Sequence, residues 1–201
     1  MLKNKKVLFI DVGSHECQEI NALTQSNFFL TLLYLKRFLL NLVVKDTIAP
    51  SILEFIKFLI IRKRLLSKIK FCFFAIEPNW RHFRLKLYQK IDYVFCFGLQ
   101  KLNTDIEMKY LSFKSIEKKC QGANLFEENG NINLSEIIPV LDTDYFCDNI
   151  LKKILNEYPD DNMPKIILRL NCEGTEDDII YSFNKKYSKL LLCVLGSLDD
   201  V

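Results

Sequence analysis

Three short apolar runs, each closed by polar side chains, limit the folds open to this chain more than any other feature. The runs are Val7–Val12, Phe71–Ile76 and Ile166–Leu170. Short apolar runs bounded by turn residues are typical of buried strands. Asp11, Glu77 and Asn171 lie at their carboxyl ends, and an acid is out of place in a core. In an open parallel sheet, that edge is where small ligands bind.

Helical patterns between these runs indicate an α/β protein. Apolar residues recur at helical spacing from Cys17 to about Val44, and Ser51 with Glu54 forms a capping box for a helix to about Ile69. Strands are also expected at 93–97, 109–113, 136–141 and 190–195, helices at 81–89, 145–158 and 176–186, and a loop over about 117–135. This alternation predicts a Rossmann-like sandwich: a mostly parallel central sheet with helices on both faces.

Composition favours a single domain, 1–201, and argues against two classes of partner. The chain has 201 residues and is 49% hydrophobic, which suits one domain with a sizeable core. Its net charge of +3 is smaller than the basic excess expected of a protein that binds nucleic acid through its overall charge. Its seven cysteines are an odd number and include no C-x-x-C pair, and neither histidine has a partner at ligand spacing. A metal site is therefore not expected.

Compartment and completeness follow from equally simple observations. The N-terminus carries no signal-peptide pattern, so a reducing cytoplasm is the expected compartment. The chain ends abruptly at Asp200-Val201, just beyond an apolar strand-like run. A naturally short protein and a truncated piece both fit that ending, and oligomeric state is left open.

An inserted region at about 28–70 is both very apolar and basic. Lys36, Arg37 and Lys57 interrupt its apolar stretches, so neither half reads as a transmembrane helix. One interpretation is two amphipathic helices that cover a sheet face while their basic side chains reach water. The other is a peripheral membrane contact, which the basic cluster at 62–64, with Lys68 and Lys70, keeps open.

The polar strand ends offer recognisable chemistry, each with a plain structural alternative. A glycine after Asp11 lets backbone pass close to a ligand, but it also suits any strand-to-helix turn. Glu77 can accept hydrogen bonds from both hydroxyls of a ribose, or cap a following helix. Glu176 is explained equally well by a helix dipole, whereas Asn171 and Glu173 are harder to explain structurally.

Taken in order, these segments resemble the FkbM family of S-adenosylmethionine-dependent methyltransferases. Its motifs are D-x-G-a-n after a first strand, then F-E-P-n, then a strand ending D-x-E-G-x-E. They correspond to Asp11-Val12-Gly13-Ser14-His15, Ile76-Glu77-Pro78-Asn79 and Asn171-Cys172-Glu173-Gly174-Thr175-Glu176. The segments 121–125 and 138–142 are similar to two further family segments, so the resemblance spans nearly the whole chain.

The resemblance implies a class I methyltransferase sandwich, S-adenosyl-L-methionine as cofactor and methyl transfer to a hydroxyl of a sugar, glycan or other small metabolite. The reaction is an in-line displacement in which alignment matters and a general base helps the alcohol lose its proton. Asn171 and Glu173 would face the reacting methyl group, with Glu173 the candidate base. The residues implied to bind cofactor are Asp11, Gly13, Ser14, Glu77, Asn79, Gly98 and Leu99.

Two positions depart from the family pattern. Cys17 stands where the first motif usually has a second glycine, and Asn171 stands where the last motif usually has Asp. A side chain at position 17 would crowd the cofactor, and an amide removes a charge. The alternative is therefore a catalytically silent relative that keeps the fold as a binding or scaffold protein, with contact to a membrane surface compatible with either reading.

Overall fold

A computed structural model describes residues 6–15, 17–44, 51–79, 90–102, 107–114, 135–172 and 174–196. The chain divides into two compact units. The sheet unit comprises Met1–Cys17 with Phe71–Val201, and the helical unit is Gln18–Lys70. The helical unit thus begins ten residues before the inserted region expected at 28–70.

A five-stranded, fully parallel sheet forms the centre of the sheet unit. Its strands are β1 (Val7–Val12), β2 (Phe71–Ile76), β3 (Tyr93–Phe95), β7 (Lys165–Leu170) and β8 (Leu191–Gly196). They lie in the order β3-β2-β1-β7-β8, and all pairings are parallel. Chain order therefore reverses direction between β1 and β7, as in a Rossmann-like α/β fold. That reversal is the switch point at which such sheets bind ligands.

Burial is most complete in the inner strands β1 and β2. Every residue of β1 and β2 is buried. One face packs against α6 (Glu176–Tyr187) and a helical stretch made of α4 (Thr143–Tyr145), a π-helical turn (Phe146–Leu151) and α5 (Lys152–Leu155). Phe146 is fully buried there, with its ring edge-on to Phe95 at 5.8 Å. Helices on this face were expected from 145–158 and 176–186, although the π-helical turn was not.

Two strands expected from the sequence, at 109–113 and 136–141, form a second sheet with a strand that was not expected, instead of extending the first sheet. β4 (Gly98–Gln100), β5 (Met108–Lys114) and β6 (Ser135–Asp142) lie in the order β4-β6-β5. β4 runs parallel to β6, and β5 runs antiparallel to it. The strand expected at 93–97 ends at Phe95, and Gly98 begins a strand of the other sheet. The expected helix at 81–89 and most of the expected loop at 117–135 lie outside the described residues.

The helical unit contains α1 (Gln18–Thr24), α2 (Asn27–Val44) and α3 (Ile52–Lys68). One helix over 17–44 was expected, but the chain breaks at 25–26, where the Ser26 hydroxyl accepts a hydrogen bond from the Phe29 N–H. α3 begins as predicted: the Ser51 side chain accepts from the Glu54 N–H, and the Glu54 carboxylate accepts from the Ser51 N–H.

One buried arginine holds these helices together. Arg62 of α3 donates to the carbonyl oxygens of Ala22 and Leu23, at 2.6 and 2.9 Å, and to Gln25 O. It also donates to Asn27 Oδ1 at 2.6 Å. The carbonyls at the end of α1 have no partners within the helix, and a cation near a helix C-terminus is favourable. Arg62 therefore fixes the α1–α2 turn against α3.

Aromatic stacking joins α2 to α3. The rings of Tyr34 and Phe55 lie 4.2 Å apart and nearly parallel, and Leu30 and Tyr34 are buried. Within the described residues, no helix is both long and apolar enough to cross a membrane.

Candidate functional site

The three polar turns meet at the carboxyl edge of the parallel sheet. The N–H groups of Gly13 and Ser14 both donate to the carbonyl of Ile76, at 2.9 and 3.3 Å. On the other side of β1, the Asn171 N–H donates to Val12 O at 2.9 Å. The turns after β1, β2 and β7 are thus hydrogen-bonded neighbours at the switch point.

Gly13 is required there by backbone packing. Its φ is +69°, and a Cβ at this position would lie 2.1 Å from the Asn171 carbonyl oxygen. No side chain fits that gap, and the left-handed conformation also favours glycine. The close approach of the turn after β7 accounts for this glycine without a ligand.

Asp11 is buried in an ion pair that the sequence analysis did not foresee. Its carboxylate is fully buried, and Oδ1 lies 2.9 Å from the Arg169 guanidinium. Asp11 and Arg169 are opposite each other in the β1–β7 register, and the same guanidinium nitrogen donates to Gly13 O at 3.2 Å. The pair links the two strands that flank the switch point. A role for Asp11 in lining a cofactor pocket remains a prediction.

The Glu77 carboxylate connects the turn after β1 with the turn after β2. Oε2 accepts from the His15 N–H at 2.7 Å, and Oε1 accepts from the Asn79 N–H at 2.9 Å. Burial raises the pKa of Glu77 from its usual value, while the hydrogen bonds from Asn79 and His15 act to lower it. Each oxygen keeps a further lone pair, so this carboxylate retains acceptor capacity for a hydroxyl.

The turn that follows β1 contains strained backbone. His15 and Cys17 have φ values of +44° and +51°, which residues other than glycine rarely adopt. Ser14 and Asn79 are buried within these turns. Cys17 is the position at which the FkbM pattern usually has glycine, and its backbone has the conformation that glycine accommodates best.

The turn after β7 is more open than the other two. The Asn171 side chain is exposed, and Gly174 has a φ of +83°. Burial raises the pKa of Cys172 to about 12, so its thiol stays protonated at neutral pH. Glu173, the expected base, lies outside the described residues.

Two of the residues implied to bind the cofactor lie on a strand of the second sheet. Gly98 and Leu99 start β4 of the second sheet, and Leu99 is packed in the core. Of the expected site residues, those at the ends of β1, β2 and β7 are brought together by backbone hydrogen bonds. Gly98 and Leu99 have no such bond to those turns among the described contacts.

Two residues near this edge were overlooked by sequence reasoning. Arg169 is the lone charge inside the run Ile166–Leu170, and a charge in a buried strand signals an ion partner. Cys96 was not singled out among the seven cysteines. Burial and the nearby charge of Glu77 both raise the pKa of the Cys96 thiol.

This arrangement can accept hydrogen bonds from a polar ligand at a buried carboxylate. Among the described residues, no group of three or more His, Cys, Asp or Glu side chains is placed to hold a metal ion. Comparison with family models, curated proteins and solved structures gives no match to this chain.

Proposed function

We propose that this protein binds S-adenosyl-L-methionine at the carboxyl edge of its parallel sheet and transfers the methyl group to a hydroxyl of a small metabolite or glycan. The observation that carries the proposal is the position of Glu77. A buried carboxylate at the end of β2, beside the glycine turn after β1, is where a nucleotide-binding sheet holds a ribose.

The three turns offer hydrogen-bonding groups of the type that such a ligand requires. Glu77 would accept hydrogen bonds from the ribose hydroxyls while it continues to accept from His15 and Asn79. Burial raises the pKa of Glu77, and hydrogen bonds from ribose hydroxyls would favour its ionised form. Ser14 and Gly13 would contribute backbone contact.

The reaction itself needs little covalent chemistry from the protein. The acceptor oxygen attacks the methyl carbon, the carbon–sulfur bond breaks with its electrons going to sulfur, and the hydroxyl proton passes to a base. Glu173 is the proposed base, and Asn171 would orient the acceptor through its exposed amide. Most of the rate enhancement would come from alignment.

Calorimetric titration with S-adenosylmethionine and S-adenosylhomocysteine tests the proposal. Wild type is expected to bind both, Glu77→Gln to bind at least tenfold more weakly, and Glu157→Gln, which alters an exposed glutamate, to bind as wild type does. Absence of binding by folded wild type would overturn the proposal.

The pH dependence supplies a check that requires no variant. The ionised carboxylate is the form that accepts from two hydroxyls, so ligand binding would lower the Glu77 pKa. Affinity should therefore increase as pH rises from about 4.5 through the raised pKa of the free protein, and then level off. Affinity that falls over this range would contradict ribose binding at Glu77.

A binding protein without turnover is the second candidate, favoured by the exposed amide of Asn171 where the family pattern has an acid. It predicts that S-adenosylmethionine binds in the calorimeter but is not consumed when hydroxyl acceptors are added. Turnover by wild type would exclude it, whereas turnover gained only by Asn171→Asp would support it.

A further inference from the structure

We infer that the helical unit binds anionic membrane surfaces through α2 and α3, with the bilayer as the partner of their exposed apolar and basic side chains. This inference is independent of methyl transfer. It rests on three features of Gln18–Lys70: exposed apolar side chains, a basic excess, and their placement on one half of a helix.

The apolar exposure is concentrated in these two helices. Phe28 and Leu53 are 75% and 63% exposed, respectively. The exposed large apolar side chains on α2 and α3 are Phe28, Phe29, Leu32, Leu33, Leu35, Ile52, Leu53, Ile56, Phe58, Ile60 and Ile61. Exposed apolar side chains gathered on two packed helices indicate an interaction site.

The same unit carries the positive charge of the chain. It holds nine Lys and Arg against three Asp and Glu, a net charge of +6, whereas the whole chain has +3, so the remaining chain is acidic. Positive charge on an apolar helix surface attracts the anionic lipids of a membrane.

On α3 the two kinds of side chain share one side of the helix. Successive residues are about 100° apart around the axis, so Ile52, Ile56 and Ile60 fall on the same half of the helix as Lys63 and Arg64. All five are exposed. The inward side of α3 carries Arg62, which caps α1, and Phe55, which stacks on Tyr34. Basic side chains next to exposed apolar ones would let α3 lie along a bilayer interface, because their long stems can carry the charges to the headgroups.

Charge and composition favour lipid over a protein or nucleic acid. Two copies of the helical unit would repel each other, because each unit has a net charge of +6. Lysine is depleted from protein interfaces. Exposed isoleucines add nothing to binding of phosphate chains, which depends on charge. A bilayer uses both features, because acyl chains accept the aliphatic groups and anionic headgroups accept the lysines.

Vesicle co-sedimentation tests the inference. The full chain should bind vesicles that contain phosphatidylserine, bind phosphatidylcholine vesicles more weakly, and dissociate as salt is raised. Each basic residue near an anionic surface contributes roughly fivefold to affinity, so Lys63→Glu/Arg64→Glu should weaken vesicle binding by at least about 25-fold. The matched control Lys152→Glu/Lys153→Glu makes the same charge change on exposed positions of the sheet unit and should bind within about twofold of wild type.

The apolar contribution has a separate test. Ile56→Ser/Ile60→Ser keeps every charge and is expected to lose about tenfold on anionic vesicles through lost burial. All substituted side chains are exposed, so circular dichroism should show unchanged helix content. If either α3 variant fails to fold, Lys57→Glu/Lys68→Glu provides a second exposed basic pair.

Three results would overturn the inference. The first is failure of the wild-type protein to co-sediment with anionic vesicles at low salt. The second is an equal loss of vesicle affinity in Lys63→Glu/Arg64→Glu and in Lys152→Glu/Lys153→Glu. A salt-strengthened self-association in sedimentation velocity, abolished by Ile56→Ser/Ile60→Ser, would assign the surface to a second copy of the chain instead.

Discussion

The two units treat polar and apolar groups in opposite ways. The sheet unit buries charge: Asp11 and Glu77 lie inside it, each held by named donors. The helical unit exposes apolar surface: of the seventeen large exposed apolar side chains in the described residues, eleven are on α2 and α3. Buried charge and exposed apolar surface both cost free energy, so each marks the part of its unit in which to look for function.

The largest effect is expected from the buried ion pair of the sheet unit. Arg169→Met leaves the Asp11 carboxylate buried without its guanidinium, which should lower the free energy of unfolding by about 3–5 kcal/mol. Urea denaturation followed by circular dichroism measures this loss. Adding Asp11→Asn should recover much of it, because the stranded charge is removed. A loss below about 1 kcal/mol for Arg169→Met would show that the pair does not hold β1 to β7.

A somewhat smaller loss is expected at the closest backbone approach of that edge. Gly13→Ala places a Cβ against the Asn171 carbonyl and keeps a left-handed φ, so it should cost about 2–4 kcal/mol. Gly196→Ala is the control, since its Cβ would meet Leu170 O at an ordinary 3.6 Å. Equal urea midpoints for the two variants would disprove the tight turn contact.

In the helical unit, buried and exposed arginines should differ sharply. Arg62→Met removes the donor to three carbonyls around the α1–α2 turn and should cost about 2–3 kcal/mol. Arg64→Met changes an exposed arginine two residues further along α3. Its free energy of unfolding should stay within about 0.5 kcal/mol of the wild-type value. Thermal unfolding of both variants compares them directly, and similar midpoints would remove Arg62 from its anchoring role.

The smallest effect concerns backbone strain at Cys17. Cys17→Gly and Cys17→Ala both remove a buried thiol, but only glycine suits a φ of +51°. The glycine variant should be the more stable of the two by about 1 kcal/mol in urea denaturation. An alanine variant of equal or greater stability would mean that the left-handed conformation carries no strain.

Sequence reasoning performed best where a local pattern decides the structure. The Ser51–Glu54 capping box and the apolar runs of β1, β2 and β7 suffice to predict those elements, since their signals lie within a few residues. The runs also predict that their polar ends share one sheet edge. Convergence of Gly13, Glu77 and Asn171 follows from parallel pairing alone.

Features that depend on distant partners were missed for a physical reason. Arg169 becomes meaningful only opposite Asp11, 158 residues away, and Arg62 only against the end of α1. The antiparallel pairing of β5 with β6 also depends on which strand each one meets. Whether the strand ends form a cofactor site stays a prediction, because residue types at an edge do not determine what binds there.

The most direct test of the central claim is a binding cycle that combines Glu77→Gln with a 3′-deoxy analogue of S-adenosylhomocysteine. If the Glu77 carboxylate accepts a hydrogen bond from the ribose, removal of the 3′-hydroxyl should weaken calorimetric binding to wild type by about tenfold. The same deletion should change binding to Glu77→Gln little. Equal weakening in both proteins, or none in wild type, would contradict a ribose site at the end of β2.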